Sequence, residues 1–578
     1  MSPPEAETPP TNLGPVFDEA VRRARSRMLP VGEDADYDLA RGHFDIAHFY
    51  LQARGLVEND QIDPLRHFLR NGADAKASPE INFDMQTYLQ RHPERRDASG
   101  RSPWLAWLEE GRERGEIADP APGLEAIARV LDLEPSELGS RLAQTRSDLE
   151  ERLRHGTLGR MIALAAEVEP LIAEAWPAAT HPVIPPLDYP VIAGQVAALH
   201  ECQRQAGFAT ARLVLVIKRP RWGGGRRMEG HLAHALSPVL GSEEIVVIYT
   251  DETGTTPPGR YPPGTREVDL TSVATGLEPE AAQRVLVELV RSFRSDVVMN
   301  VNSDLFYDAL ATYGRALNAT EQVFLMLFCN EQLALGNWVG LPLRQVYRNF
   351  DQVAGIITDS DYLAGWLRDR HQLGDGYAAR IHTFRAPVDP DLPVAEPPAL
   401  TPGRRPQVFW AGRWDRQKRV DVLWEVARQM PDVDFRVWGE SVMPGGRRGS
   451  IPDNVTLQGR YGHISELALS EADAWLYTSA WDGVPSQLLE VCMTGVPLVG
   501  SLVGGTGEVL SPHDAWPVTE PDNPAHYVAA LRDVLTDQAE ARRRSRALRE
   551  RMIRERSAPD FAALVRRVLF AGLEGRNA

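Results

Sequence analysis

Two cationic side chains stand five residues apart in the second half of the chain, directly after an apolar run. Arg413 and Lys418 follow residues 407–411, and a helical pattern resumes near residue 422. In a strand–loop–helix turn, Gly412 and both cations would lie at a helix N-terminus, whose partial positive charge favours anions. Arginine offers phosphate oxygens a planar fork and lysine a point charge. The segment predicts a site for one anionic group, and a solvated basic loop is the alternative.

Two carboxylates flank the start of another predicted helix. Asp482 lies in the loop after an apolar run, Pro485 suits the first helical turn, and Glu490 stands about 1.5 turns into the helix. A carboxylate can accept hydrogen bonds from neighbouring hydroxyls of a ribose or a hexose. The alternative is a helix cap at Asp482 and a surface glutamate. The backbone amides after Gly483, at the helix N-terminus, suit phosphate or sugar oxygens, so Gly483, Val484 and Pro485 are the candidate donor-binding residues of this turn.

These loops are placed by an alternation of apolar runs and helical stretches. Strands are predicted at 213–217, 244–249, 296–301, 323–328, 352–358, 407–411, 434–438, 474–478 and 496–500. The pattern predicts an α/β fold with two tandem Rossmann-like, doubly wound domains, 208–392 and 407–540. A proline-rich hinge, 393–406, joins them, and C-terminal helices follow at 541–578. The cleft between the two domains is the predicted active site, because such sheets bind ligands at strand carboxyl ends.

The N-terminal third has a different organisation. Residues 1–36 are polar and rich in proline and charge, which predicts a disordered tail. Residues 37–117 contain two units of about 39 residues, in which Phe44-Asp45 recurs as Phe83-Asp84. A period of this length predicts stacked helical pairs, and a structural or docking module is favoured over a catalytic one. Residues 118–207 are predicted to be a helical connector.

Composition limits the partners and the compartment. The 578 residues include 63 Lys and Arg against 80 Asp and Glu, a net charge of −17, which argues against a general nucleic-acid binder. The three cysteines fit neither a disulfide framework nor a zinc site. Neither a signal peptide nor a run of about 18 apolar residues is present, so a cytoplasmic protein is expected. The basic segment 542–556 could contact the inner face of a membrane, and a solvated helix face is the alternative.

Residues 411–510 resemble the C-terminal domain of retaining, nucleotide-sugar-dependent glycosyltransferases of family 4 (group 1), which have the GT-B architecture. The resemblance implies that Arg413 and Lys418 hold the donor diphosphate, and that Glu490 holds the ribose. Asp482, where the family usually has glutamate, would contact the transferred sugar. Further donor-binding residues implied by the resemblance are Gly224, Gly225, Gly504, Gly505 and Glu508, and the candidates for the acceptor side are His231 and Asn330.

The resemblance implies transfer of a sugar from a nucleotide-diphosphate sugar to a saccharide, lipid-linked or protein acceptor. Arg413 and Lys418 would stabilise the charge that grows on the departing phosphate, and Asp482 completes the predicted catalytic set. Retention follows from the family, and the lack of a suitable Asp-x-Asp motif predicts independence from metals and other cofactors. Asp359 and Asp361 are interpreted as helix caps.

The repeats resemble segments that precede some bacterial surface-polysaccharide transferases, so a role in surface glycan synthesis is expected, with protein docking through residues 37–117. The alternative is a non-catalytic GT-B scaffold or carbohydrate-binding protein that acts through these repeats. A Rossmann dehydrogenase and a P-loop nucleotide hydrolase are disfavoured, because neither glycine signature is present.

Overall fold

The structure is a computed structural model that describes residues 15–53, 56, 61–71, 74–96, 101–119, 121–172, 182–218, 227–396, 403–441 and 450–571. The chain divides into two compact units, residues 1–200 and 201–578. The helices of the first unit are α1 (Pro15–Ser26), α2 (Ala35–Arg41), α3 (Ile46–Gln52), α4 (Pro64–Asn71), α5 (Met85–Arg91), α6 (Pro103–Ala106, continued by a π-helical turn, Trp107–Gly111), α7 (Leu124–Leu131), α8 (Pro135–His155) and α9 (Thr157–Val168), and α10 (Pro190–Gln205) crosses the boundary.

The repeated Phe-Asp pairs begin equivalent helices. Asp45 accepts a hydrogen bond of 2.9 Å from the backbone N–H of His48, and Asp84 one of 2.7 Å from that of Thr87. Both aspartates are therefore N-caps, which satisfy backbone donors that a helix start leaves free. The repeated prolines begin the second helix of each unit, α4 and α6.

The aromatic residues of both repeats share one core. The ring of Trp104 lies 5.5 Å from that of Phe68 and 6.4 Å from that of Phe83. Centroid distances of about 4.5–7 Å are those at which aromatic pairs attract each other. Phe44, Tyr50 and other repeat residues are buried in the same cluster, so the recurring aromatic residues pack against one another.

The prediction of a disordered tail at 1–36 is wrong for the part that the structure describes. Helix α1 places Val21 and Ala24 in the aromatic core, and Tyr37 of α2 is buried beside them. The apolar residues lie three to four positions apart, on one face of the helix, and their burial outweighs the polar composition of the segment. Residues 1–14 lie outside the described residues.

The second unit contains two parallel sheets, which confirms the prediction of two doubly wound α/β domains. The first sheet has the order β3-β2-β1-β4-β5-β8-β9, with a small antiparallel pair, β6 and β7, outside it. Its strands are β1 (Leu213–Ile217), β2 (Ile245–Tyr249), β3 (Arg266–Asp269), β4 (Val297–Val301), β5 (Gln322–Leu327), β6 (Glu331–Gln332), β7 (Trp338–Val339), β8 (Gly355–Thr358) and β9 (Ile381–Thr383). Its helices are α11 (Met228–Leu240), α12 (Leu270–Val273), α13 (Pro279–Ser292), α14 (Asp304–Thr320), α15 (Leu341–Asn349), α16 (Asp361–His371) and α17 (Asp375–Ala378).

The second sheet has the order β12-β11-β10-β13-β14-β15. Its strands are β10 (Gln407–Ala411), β11 (Asp434–Trp438), β12 (Val455–Gly459), β13 (Ala474–Tyr477), β14 (Leu498–Ser501) and β15 (Trp516–Val518). The accompanying helices are α18 (Val420–Gln429), α19 (Ser486–Thr494), α20 (Pro524–Thr536), α21 (Gln538–Glu555) and α22 (Ala558–Leu569). In both sheets the strand order reverses beside the first strand of the domain, at β1/β4 and at β10/β13.

The C-terminal helices belong to the two domains, which corrects the predicted boundary at 541. Helix α21 already begins at Gln538 and buries Leu548 and Met552 in the core of the second domain. Helix α22 packs against α11 and buries Phe561 in the core of the first domain. The chain thus returns to the first domain, because the apolar face of α22 completes that core.

Several cations of the basic segment 542–556 bind groups of the protein itself. Arg543 pairs with Glu540, Arg551 pairs with Asp514 at 2.6 Å, and the guanidinium of Arg556 is buried. No helix in the described part of the chain is both long and apolar enough to cross a bilayer.

Candidate active site

Two loops of the second domain leave the sheet at neighbouring strands. Residues 412–419 follow β10 and residues 478–485 follow β13, on either side of the point where the strand order reverses. The backbone N–H of Ala480 donates to the carbonyl of Gln417 at 2.7 Å, and the Gln417 amide donates to the carbonyl of Trp481 at 3.0 Å. The sequence thus brings both predicted loops to the position where doubly wound sheets bind ligands.

Lys418 and Asp482 meet at this edge. The Lys418 ammonium lies 2.7 Å from Asp482 Oδ2, and the Tyr477 hydroxyl donates to the same oxygen at 2.6 Å. The two charged side chains are 17% and 14% exposed, so the pair is partly withdrawn from water. Burial and the neighbouring Asp482 raise the pKa of Tyr477 well above its usual value, so this hydroxyl keeps its proton. The cluster therefore combines an ammonium, a carboxylate and a neutral phenol.

Arg413 is not part of this cluster. Its side chain is 63% exposed, pairs with Asp415 at 3.1 Å and donates to the Gln417 amide oxygen at 2.9 Å. The structure therefore does not place the two predicted cations on a common partner. Gly412 lies closer to Lys418 than the Arg413 side chain does, since a Cβ at Gly412 would stand 3.3 Å from Lys418 Cγ and 3.0 Å from the Trp410 ring. Its missing side chain leaves room for the lysine stem.

Glu490 faces a cavity between the two domains, which we call the inner cavity. It measures about 230 Å³. The Glu490 carboxylate forms an ion pair with Arg227 of the first domain, and both residues line the cavity. Other lining residues are Met228, His231, Asp359, Asp389, His463, Val484 and Ser486. The carboxylate that the sequence assigned to the nucleotide thus lies where both domains meet.

His231 is a partly buried histidine that lines the inner cavity. Burial, with the nearby Arg227, lowers its pKa to about 4, and its ring packs edge-on against Phe561. The imidazole is therefore neutral at physiological pH. A neutral ring can donate one hydrogen bond and accept another, but it adds no cation to the site.

Asp359 connects the two domains behind these groups. Its Oδ2 accepts a hydrogen bond of 3.1 Å from the backbone N–H of Val484. A Cβ at Gly483 would stand 2.1 Å from that oxygen, so only glycine permits the contact. Burial raises the pKa of Asp359 to about 7. The interpretation of Asp359 as a cap is wrong, because Ser360 caps α16 and Asp359 points to the other domain.

A second cavity, which we call the aromatic cavity, lies on the Asp482 side of this contact. It measures about 170 Å³. Asn330 lines it and is held by a 3.2 Å hydrogen bond that its Oδ1 accepts from the Leu343 N–H. Burial raises the pKa of the lining Cys329 thiol above its usual value. The aromatic side chains of its wall are Phe328, Trp338, Tyr362, Trp366 and Trp481.

The glycine block after β14 contacts the first domain and the Asp482 loop. A Cβ at Gly504 would stand 2.0 Å from the Asp482 carbonyl, and one at Gly505 would stand 2.9 Å from Ser360 Cβ. Glu508 accepts a 2.7 Å hydrogen bond from the N–H of Asp361 and pairs with Arg556 at 3.2 Å. These residues allow the two domains to pack closely at this point, and Glu508 faces helix α16 rather than the inner cavity.

The structure brings together most of the described candidates and adds residues that the sequence did not single out. The pair Gly224 and Gly225 lies outside the described residues. Arg227, at the end of a basic run after β1, and Tyr477, at the end of β13, were overlooked. Both residues come at or after the end of a predicted strand, and this position was the signal in the sequence that could have identified them. In the described part of the chain, no group of three or more His, Cys, Asp or Glu side chains could hold a metal ion.

Comparison with known proteins finds a family match in the second domain. Residues 395–552 match the family model of glycosyl transferases group 1. Glycogen synthase of Mycobacterium tuberculosis is 28% identical over 181 residues, which are 30% of this chain and 44% of the relative. The GDP-mannose-dependent alpha-mannosyltransferase of the same species is 24% identical over 223 residues, 33% of this chain and 59% of that protein.

The chain thus spans less than two thirds of the length of these relatives. Among solved structures, sucrose-phosphate synthase from Thermosynechococcus elongatus is 18% identical with a TM-score of 0.49, covering 62% of this chain and 99% of its own. The predicted similarity to group 1 glycosyltransferases is confirmed for residues 395–552.

Proposed function

We propose that this protein transfers a sugar from a nucleotide-diphosphate sugar to a saccharide acceptor, in the cleft between its two α/β domains. The observation that carries the proposal is the meeting of Lys418 and Asp482 at the β10/β13 strand ends, inside the segment that matches the glycosyltransferase family. The names of the curated relatives, a glycogen synthase and a mannosyltransferase, support sugar transfer.

In this proposal Lys418 stabilises the leaving group. Breaking the bond between sugar and diphosphate builds negative charge on the β-phosphate, and a fixed ammonium is worth most where that charge develops. The ammonium has three donors, so it can bind a phosphate oxygen while it keeps its contact with Asp482. Arg413 joins it by rotating away from Gln417, which its exposed side chain permits. Asp482 then remains to orient hydroxyls of the transferred sugar.

Glu490 binds the ribose hydroxyls of the donor in the same proposal. Its carboxylate now pairs with Arg227, and the inner cavity of about 230 Å³ is smaller than the roughly 300–1,000 Å³ of typical ligand sites. We therefore expect donor binding to open the Arg227–Glu490 ion pair and to widen the cavity. Arg227, once released, can pair with the diphosphate.

The aromatic cavity supports a saccharide as the acceptor. Five aromatic side chains surround about 170 Å³ beside Asp482, the scale of one sugar ring. The apolar faces of a pyranose can lie against such rings while Asn330 and Asp482 supply hydrogen-bonding groups. A lipid-linked saccharide would present the same ring, whereas a protein acceptor would have to offer a side chain.

The finer parts of the proposal have separate grounds in the sequence. Retention of configuration is implied by the family resemblance alone, independence from metal by the lack of a suitable Asp-x-Asp motif, and a role in bacterial surface glycan synthesis by the N-terminal repeats. The acceptor domain would be the first α/β domain, because most of the aromatic cavity wall belongs to it.

The test is release of nucleoside diphosphate from a panel of sugar nucleotides, with and without added oligosaccharides. We expect release from one or a few donors, an increase with a suitable saccharide, and no loss on adding EDTA. Lys418→Ala and Glu490→Gln should abolish or strongly reduce release, whereas Lys76→Ala, an exposed lysine of the helical unit, should not.

The proposed site is wrong if the protein binds none of the nucleotides, or if Lys418→Ala leaves the release of nucleoside diphosphate unchanged. A saccharide-binding protein without nucleotide affinity would favour the scaffold alternative.

A further inference from the structure

Tyr477 contacts both charged members of the Lys418–Asp482 pair. Its hydroxyl donates to Asp482 Oδ2 at 2.6 Å, and its ring centroid lies 5.1 Å from the Lys418 ammonium, which is within the range of a cation–π contact. Tyr477 is the last residue of β13 and is almost fully buried. The two charged side chains of the candidate site therefore share one buried neighbour.

The hydrogen bonds of Asp482 show what the Tyr477 hydroxyl fixes. Oδ1 accepts a 3.1 Å hydrogen bond from the N–H of Gly483 in the same loop, whereas Oδ2 contacts both the Lys418 ammonium and the Tyr477 hydroxyl. Asp482 lines the aromatic cavity, and Tyr477 is not among the described residues that line either cavity. The tyrosine therefore reaches a bound ligand through its charged neighbours rather than directly.

The end of β13 is a rigid place from which to hold these side chains. This strand is interior, since it is hydrogen-bonded to β10 on one side and to β14 on the other. The Thr478 hydroxyl donates to the Lys418 carbonyl at 2.7 Å and accepts from the Trp410 indole N–H at 2.9 Å. A functional side chain on a loop keeps a single orientation when a second residue on a rigid element holds it. Tyr477 has this relation to Asp482.

We propose that Tyr477 is a positioning residue for sugar transfer, which keeps the Asp482 carboxylate directed at the transferred sugar while Lys418 binds the donor diphosphate. This inference rests on the proposed function. An ammonium that is shared with a phosphate restrains the carboxylate less, because its hydrogen bonds are divided between two anions. The Tyr477 hydroxyl stays on Asp482, so it contributes to the orientation and choice of the sugar rather than to affinity for the diphosphate.

Tyr477→Phe tests the hydroxyl alone, because the ring and its contact with Lys418 remain. We expect kcat/KM for the donor to fall about tenfold, as for the loss of a hydrogen bond to a charged group. The dissociation constant of the nucleoside diphosphate should change less than about twofold. The preference among donors whose sugars differ at one hydroxyl should shrink, because Asp482 is no longer fixed. Steady-state release of nucleoside diphosphate and titration calorimetry measure these quantities.

Tyr527→Phe is the matched control for this variant. Tyr527 is also buried in the second domain, and its hydroxyl donates to the Pro521 carbonyl at 3.2 Å. Its removal should leave kcat/KM and the donor preference unchanged. Urea unfolding establishes that both variants are folded. Equal kinetic losses in the two variants would reduce Tyr477 to a residue that supports the fold, and the inference would be wrong.

Removal of Asp482 shows whether the tyrosine acts through it. In an Asp482→Ala background, Tyr477→Phe should cause no further fall in kcat/KM, because the hydroxyl has no carboxylate left to hold. A further fall of about tenfold, as in the original protein, would mean that Tyr477 acts on another group and would overturn the inference.

Failure of this inference can be told apart from failure of the proposed function. If the original protein releases no nucleoside diphosphate from any donor, the proposed function is wrong and the role of Tyr477 is wrong with it. If the original protein is active and Tyr477→Phe changes neither kcat/KM nor the donor preference, only the inference is wrong. It is also wrong if the variant weakens nucleoside diphosphate binding as much as it lowers kcat/KM, because the hydroxyl would then act on the diphosphate through Lys418.

Discussion

The two α/β domains share a topology but contribute to the cleft in different ways. In the second domain the chemical residues stand next to one another in two loops and bind each other, as Lys418 binds Asp482. In the first domain single residues reach across to the other side. Arg227 pairs with Glu490, and Asp359 accepts the N–H of Val484.

The difference has a physical origin. The phosphate site proposed for the strand–loop–helix turn of the second domain needs donors within a few residues of the helix start, so the spacing of these residues is constrained. A residue that crosses from one domain to another needs only the right place in space. The cleft residues of the second domain therefore follow a spacing that can be recognised in the sequence. The cleft residues of the first domain follow no such spacing.

Lys418→Ala is the strongest test of the second domain. We expect kcat/KM to fall about 10²–10³-fold, or about 3–4 kcal/mol, because in the proposed mechanism the ammonium acts on charge that develops in the transition state. Donor affinity should change much less. Steady-state release of nucleoside diphosphate measures both quantities, with Lys76→Ala as the matched control. A fall in affinity alone would make Lys418 a binding residue and erase the contrast with the first domain.

Asp359→Asn tests what the first domain contributes. Its carboxyl has a pKa of about 7 in the folded protein, against 3.8 ordinarily, so folding binds a proton and stability is lost as pH rises from about 4 to 7. The asparagine side chain does not titrate, so the variant does not lose this stability. As pH rises from 5 to 8, we expect the unfolding free energy of the variant to increase by about 2–3 kcal/mol relative to that of the original protein, as measured by urea unfolding.

Asp361→Asn is the matched control for that prediction. Burial alone would raise the pKa of Asp361, but hydrogen bonds with Thr383 and Arg385 outweigh it and the pKa is lowered. Its contribution is present above its ordinary pKa and is lost only as pH falls below it. This variant should therefore show no growing gain between pH 5 and pH 8. An equal increase of the relative unfolding free energy in both variants would show that the loss of stability with rising pH does not come from Asp359.

Arg227→Ala sharpens the comparison, since it removes the cation that the first domain supplies. We expect donor affinity to fall about tenfold, or about 1.4 kcal/mol, because the variant loses the proposed charge-assisted contact to the diphosphate, although it also frees Glu490 for the proposed contact with the ribose. Arg227→Lys should recover part of the affinity. Titration calorimetry with the nucleoside diphosphate checks this, with Arg348→Ala, at an exposed arginine of α15, as the control. Tighter binding in Arg227→Ala would mean that Arg227 only competes for Glu490.

The fold was predictable where strands are buried. Each of the nine predicted strands exists, because runs such as 213–217 are apolar throughout and buried on both faces. Six described strands were not predicted. Four of them, β3, β9, β12 and β15, lie at the edges of the two large sheets, and β12 is almost wholly exposed. The other two, β6 and β7, are only two residues long each. An edge strand with polar residues has no apolar run to detect.

The positions of the candidate residues were predictable where their spacing fits a helix start. The sequence singled out Lys418, Asp482 and Glu490 in this way, and the structure places all three at the cleft, while their roles stay a prediction. Arg413 was placed with them by spacing, but its own loop binds it through Asp415 and Gln417. Asp359 was assigned to a cap because its neighbour Ser360 has that role. Such a pairing with Val484, 125 residues away, depends on domain packing that local patterns do not contain.

Trp338→Ala is the smallest expected effect and tests the aromatic cavity. The side chain is 40% exposed at the β6–β7 pair, so its removal should leave folding intact. Losing one ring from the wall should raise the KM for a saccharide acceptor roughly five-fold, or about 1 kcal/mol, without changing donor hydrolysis. Tyr347→Ala, which removes an aromatic residue that is 84% exposed in the same domain, should change neither. If Trp338→Ala instead impaired donor hydrolysis in the absence of acceptor, the first domain would bind the donor sugar as well. Donor binding and acceptor binding would then not be divided between the two domains.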